Sequence, residues 1–182
     1  AGRGIVHSEK PEQESGLLKG LQLWVNLPKK HKMTMPHYQE FSADKITIEK
    51  REDGGEVKVI SGNTNNGTTG VIVNHYVKPT YMQVTLPANA NFEQQLTLGD
   101  NTFIYMILGS ICIGNAQKKL SESQLGILSN GTTVSVDSVS DTSFLLISAA
   151  PINEPVVRSG PFVMNTKTEV MQGFSDLQNN CF

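Results

Sequence analysis

The run Phe103-Ile104-Tyr105-Met106-Ile107-Leu108-Gly109-Ser110-Ile111-Cys112-Ile113 consists of two apolar stretches rich in β-branched and aromatic residues, parted by Gly109-Ser110. Such residues favour strands. A two-residue break with glycine first suits a tight hairpin turn, because its first central position takes a positive φ. The same grammar repeats on either side. Tyr81 to Leu86 ends at Pro87, and Phe92 to Leu98 ends at Gly99-Asp100-Asn101. Leu125 to Leu128 and Thr132 to Val136 flank Ser129-Asn130-Gly131, and Phe144 to Ile147 is almost wholly apolar, as a central strand should be. Upstream, Lys45 to Glu49 and Glu56 to Ile60 flank Asp53-Gly54-Gly55, a second hairpin signal. Short strands at regular spacing with Gly/Asn turns indicate an all-β antiparallel sandwich or jelly roll.

Further from that centre the signals thin out. Leu21, Leu23, Val25 and Leu27 alternate with Gln22, Trp24 and Asn26, the period of a half-buried strand closed by Pro28. Lys29-Lys30-His31-Lys32 reads as a solvated basic loop. Ser61 to Gly70 holds only Ser, Gly, Asn and Thr, a shift that marks a linker between domains. One helix is predicted: Thr166-Lys167-Thr168-Glu169 fits a capping box, and Val170, Phe174 and Leu177 follow at helical spacing. Gly173 weakens it. That helix should lay its apolar face on the outside of the jelly roll.

Composition narrows the class. The chain has 182 residues and a formal net charge of −2, which argues against a generic nucleic-acid footprint. No apolar run is long enough to span a bilayer, and the N-terminus lacks the profile of a signal peptide. Cys112 and Cys181 form neither a metal-finger spacing nor a disulfide framework, so a reducing, intracellular compartment is expected. Asn66-Gly67-Thr68 and Asn130-Gly131-Thr132 match the glycosylation sequon and read as turns. Phosphate loops, nucleophile elbows and His-x-Glu-x-x-His zinc motifs are absent.

The candidate chemistry lies at the head of the chain, in Gly2-Arg3-Gly4-Ile5-Val6-His7-Ser8-Glu9. The β-branched Ile5 and Val6 predict a strand after the glycine turn. His7 and Glu9, two residues apart, would then project from one face. An imidazole beside a carboxylate suits non-haem iron. An arbitrary His-x-Glu is most often a solvated polar pair, and two ligands do not make a site.

The same block, with Gly20-Leu21-Gln22-Leu23-Trp24-Val25-Asn26-Leu27-Pro28, His31-Lys32-Met33 and Tyr38-Gln39, resembles the pirin family. So do Glu154-Pro155-Val156-Val157 and Gly160-Pro161-Phe162-Val163-Met164-Asn165-Thr166. The resemblance implies a bicupin, two antiparallel jelly rolls facing each other with iron in the N-terminal one. It implies a cytoplasmic or nuclear protein that binds transcription factors in a metal-dependent way, or a dioxygenase acting on the flavonol quercetin. The family holds its metal with a His-x-His pair and a later His-x-Glu. His7 and Glu9 match the second pair. Glu9 would double as the catalytic group taking the substrate proton. The four histidines, His7, His31, His37 and His75, contain no His-x-His. The ligand set is therefore half present, and the chain is expected to be truncated, with an incomplete N-terminal barrel.

The expected organisation is thus residues 1–60 as the end of an N-terminal cupin, 61–70 as linker, and 71–182 as a C-terminal cupin with its terminal helix. The apolar alternation of Leu21 to Leu27, deprived of neighbouring strands, predicts a homodimer. No direct nucleic-acid or membrane partner is expected.

Overall fold

The structure is a computed structural model that describes residues 2–8, 15–17 and 20–181. Two compact units make up the chain: Gln39–Pro151, and a second formed by Ala1–Tyr38 together with Ile152–Phe182.

Gln39–Pro151 is a two-layer antiparallel sandwich. Its strands are β1 (Thr47–Lys50), β2 (Glu56–Ser61), β3 (Thr80–Leu86), β4 (Asn91–Gln95), β5 (Asn101–Leu108), β6 (Ser110–Ile113), β7 (Lys118–Ser121), β8 (Leu125–Ile127), β9 (Thr133–Ser138) and β10 (Thr142–Ala149). One sheet runs β1-β2-β3-β10-β5-β8 and the other β4-β9-β6-β7. Alternate burial along the strands sets the layers, since every second side chain of a strand points the same way. Val57 and Val59, Met82, Val84 and Leu86, Ile104 and Met106, and Phe144 and Leu146 line the inner face of the first sheet. Phe92, Ile111, Val134 and Val136 meet them from the second. Phe92 and Phe144 close edge to face across the layers, 6.0 Å between centroids. As expected, β10 is central, flanked by β3 and β5 and buried on both faces from Thr142 to Ser148.

The Gly109-Ser110 break is not a hairpin. β5 pairs with β10 and β8, whereas β6 pairs with β7 and β9 in the other sheet. The chain changes layers there, so that the apolar faces of both sheets can close on one another. Gly109 is still required: its φ is +74, and a Cβ would lie 2.3 Å from the carbonyl oxygen of Asp141. The Ser129-Asn130-Gly131 break is likewise a crossing between layers, from β8 to β9. The Asp53-Gly54-Gly55 break is a true hairpin, in which Lys50 faces Glu56 and Arg51 N donates to Gly55 O at 2.9 Å.

Ser61 to Gly70, expected as a linker, is an ordered loop inside this unit. β2, which precedes it, pairs directly with β3, which follows. Within the loop, Thr64 N donates to Thr68 O and Gly70 N to Gly62 O. The Glu49 carboxylate receives the hydroxyl of Thr64 and, at 2.9 Å, the side-chain amide of Asn66. Asn65 reaches over to the Gln95 amide and the Glu93 carbonyl of β4. Composition alone suggests a flexible tether. The polar side chains, spaced to meet these backbone groups, make it a fixed part of the sheet edge instead.

The second unit is built from both sequence-distant segments. It contains a short hairpin of β11 (Val157–Ser159) and β12 (Phe162–Met164), followed by α1 (Lys167–Gln178). The capping box is as predicted: Glu169 N donates to Thr166 Oγ1 at 3.2 Å, and Thr166 N donates to Glu169 Oε2 at 2.8 Å. Within its unit the helix rests on the β11–β12 hairpin. Phe174 meets the Phe162 ring edge to face at 4.9 Å. Gly173 has a positive role here, because a Cβ would come within 3.1 Å of the Phe162 ring.

Candidate functional site

Two expectations for the head of the chain need correction. Gly2 to Ser8 forms no strand, and neither does Leu21 to Leu27. A strand exists through its ladder bonds to a neighbour, and among the described residues neither segment has one. Ile5 is 43% and Val6 77% exposed, and His7 is exposed with them. Glu9, the second predicted ligand and predicted catalytic carboxylate, lies outside the described residues.

The head is nonetheless tied down at its root. Arg3 N donates to Thr34 O at 2.8 Å, and Gly2, with φ of +58, sits so close that a Cβ would be 2.3 Å from that oxygen. Thr34 closes a tight turn that begins at Pro28. His31 N donates to Pro28 O, Lys32 N to Lys29 O, and Thr34 N and Oγ1 both to His31 O.

The basic run Lys29-Lys30-His31-Lys32 is this turn. It is not uniformly solvated: Lys32 is only 6% exposed. Its ammonium donates to Asn26 Oδ1 at 2.5 Å and to the Val163 carbonyl at 3.1 Å. Burial pushes its pKa below the ordinary lysine value, while Glu154 and Glu169 pull it back up. Glu154 Oε2 accepts from Lys29 N at 2.7 Å and from Asn165 Nδ2 at 3.0 Å. Asn165 Nδ2 also donates to Pro155 O, and its Oδ1 is buried with no hydrogen-bond partner. The Thr166 hydroxyl foremost, with the Asn165 and Thr166 amides and nearby Lys29, holds the Glu169 carboxyl below its ordinary range against desolvation, which pushes it up. Beside this cluster Arg158 lies over the Trp24 ring at 4.8 Å. Lys32, Glu154 and Asn165 stand in separate blocks on either side of the strands, so no spacing in the sequence brings them together.

Among the described residues, no three His, Cys, Asp or Glu side chains come together as a metal ion would need. His31 is half-buried in the turn, and His37 and His75 are exposed. The described residues therefore do not by themselves fit an iron centre. The interior of Gln39–Pro151 is closed by apolar side chains, and its buried polar residues are Ser, Thr and Gln, which leaves no ionisable ligand there. No helix among the described residues is long and apolar enough to cross a membrane.

An antiparallel two-sheet jelly roll of this topology is a cupin. Consistent with that, the chain superposes on a crystal structure of quercetin 2,3-dioxygenase from Acinetobacter baumannii with a TM-score of 0.80 and 30% identity, covering 87% of this chain and 55% of that one. Residues 81–182 match the pirin C-terminal cupin domain, and the chain belongs to the pirin family. It is 44% identical over 182 residues to a pirin-like protein of Caulobacter vibrioides, covering 100% of this chain and 65% of the relative. It is 39% identical over 185 residues to human pirin, covering 98% of this chain and 62% of that protein. The chain thus spans somewhat less than two thirds of the length of these relatives.

Proposed function

We propose that this chain contributes to a pirin-type iron centre whose metal state governs the binding of protein partners such as transcription factors. His7 and Glu9 are two of its ligands, and the remaining ligands come from residues other than those described here. One observation carries this reading. His7, the imidazole of the family's later ligand pair, lies on an exposed segment, whereas the buried polar residues of Gln39–Pro151 are Ser, Thr and Gln. Val6 beside His7 is 77% exposed, and Met35 is 71% exposed. Exposed apolar side chains of this kind suit protein docking better than a dry, enclosed reaction pocket. Self-association belongs to the same reading, since Leu21, Trp24 and Val25 are also exposed. A cytoplasmic or nuclear location follows from it.

A second reading, flavonol dioxygenation, is favoured by the likeness to the Acinetobacter quercetin dioxygenase. In it, bound iron would supply the site for oxygen and the flavonol, and Glu9 would take the substrate proton. Metal analysis after dialysis, with oxygen uptake in the presence of quercetin, separates the two. We expect iron well below one per chain and no quercetin-dependent uptake. Stoichiometric iron with turnover would replace the first reading by the second.

A further inference from the structure

We infer that Lys32 is a positioning residue for the head of the chain, and that the C-terminal segment supplies its anchorage. The inference deepens the reading of His7 as a ligand, because it names what fixes that segment. The path is continuous and lies within one compact unit. The root of the head hangs on Thr34 O through the Arg3 amide, and Gly2 is pressed against the same oxygen. Thr34 is held by His31 O at the end of the Pro28–Thr34 turn. The inner residue of that turn is Lys32, whose ammonium is fastened to Asn26 on the near side and to the Val163 carbonyl of β12 on the far side. The start of the turn is fastened in the same direction, by Lys29 N on Glu154. Glu154 is in turn braced by Asn165, and Asn165 N donates to the helix-capping Glu169 at 3.1 Å.

An apolar contact could hold two segments together but would let them slide. A buried ammonium between an amide oxygen and a carbonyl allows one arrangement, because any shift strands a charged donor. The Lys32 side chain therefore does more than fill space. It fixes the distance between β12 and the turn, and so the place from which residues 4–8 depart.

The test uses the full chain and the variants Lys32→Met and Glu154→Gln. Lys32→Met keeps the length and apolar stem of the side chain and removes the ammonium. Amide exchange of Arg3 and the NMR signal of the His7 ring are read beside Trp24 emission and the exchange of Met82 and Phe144. We expect Arg3 exchange to accelerate at least about tenfold in Lys32→Met as its bond to Thr34 opens, with a shifted His7 signal. Trp24 emission and the Met82 and Phe144 amides should not change. Glu154→Gln should give a smaller change of the same kind, and it serves if Lys32→Met unfolds the unit. Arg3 protection unchanged in both variants overturns the inference. Cobalt(II) titration of the unaltered chain addresses the ligand reading separately. A His7 signal insensitive to cobalt would remove that reading, while the Arg3 result would still decide the role of Lys32.

Discussion

Gln39–Pro151 and the unit made from the two outer segments are held together by opposite means. The first has fourteen buried apolar residues in one core between two sheets, and its buried polar side chains are neutral. In the second, Val170 is the one buried apolar residue among those described, and the buried polar residues are Lys32 and Asn165. Apolar burial is non-directional and scales with area, so it supplies stability and tolerates small displacements. Hydrogen bonds to a buried charge are largely offset by the cost of taking that charge out of water, but they tolerate displacement poorly. The first unit is built to stay folded, and the second to keep a geometry.

The largest expected effect follows from the apolar side. Phe144→Ala opens the centre of the sandwich opposite Phe92, and such truncations cost about 3–5 kcal/mol. Denaturant unfolding followed by far-ultraviolet circular dichroism should show it, with a larger displacement than in the transition followed by Trp24 fluorescence. Equal displacement of both would dissolve the contrast. A smaller loss is expected on the polar side. Asn26→Ala leaves the buried Lys32 ammonium short of an acceptor, a defect of about 1–3 kcal/mol. Here the order reverses, and the Trp24 transition should move more than the dichroism.

The smallest effect is a dependence on pH. Burial pushes the Glu49 carboxyl up, but hydrogen bonds from Thr64, Thr68 and Asn66, with Arg51 nearby, outweigh it and leave the group below its ordinary range. A carboxyl depressed in the folded state contributes stability that is present above its unfolded pKa and lost as pH falls through the folded value. Protection of the 61–70 loop should therefore decline in acid below the ordinary carboxylate range. Glu49→Gln should flatten that decline, and an unchanged slope in the variant would assign it to another group.

How far the sequence foretold this differs between the two units for the same reason. Strand identity in Gln39–Pro151 was legible because short apolar, β-branched and aromatic runs closed by Pro, Gly or Asn are written in consecutive residues, as in Tyr81–Leu86 and Phe103–Leu108. Strand partners were not. Glycine at position 109 announces a sharp turn whether the chain returns in the same sheet or crosses to the other, and only the packing of Ile104 and Met106 against Ile111 and Val136 decides. The capping box of α1 was legible since it is complete within four residues. The Lys32 cluster was hidden, because all its partners but Asn26 lie more than a hundred residues away and a buried lysine reads like a solvated one. The alternation of Leu21 to Leu27 misled, as a pattern of two proposes a strand only where a neighbour exists to pair with it. His7 and Glu9 stood out first by their spacing on an expected strand, and the resemblance to pirins then gave the pair its meaning as ligands. Of that pair, the structure locates His7 alone, on an exposed segment.

The joint between Lys29 and Glu154 spans 125 residues of chain, and that between Lys32 and Val163 spans 131. This separation has a consequence in time. At ordinary synthesis rates of about 5–20 residues per second, the Pro28–Thr34 turn leaves the ribosome roughly 6–25 s before Glu154 follows it. Every strand of the sandwich lies within Gln39–Pro151 and emerges during that interval. The sandwich can therefore close first. The segment from Leu21 to Tyr38, with Trp24 and the Lys32 ammonium, must wait without its partners until the hairpin of β11 and β12 and the first turn of α1 have been made.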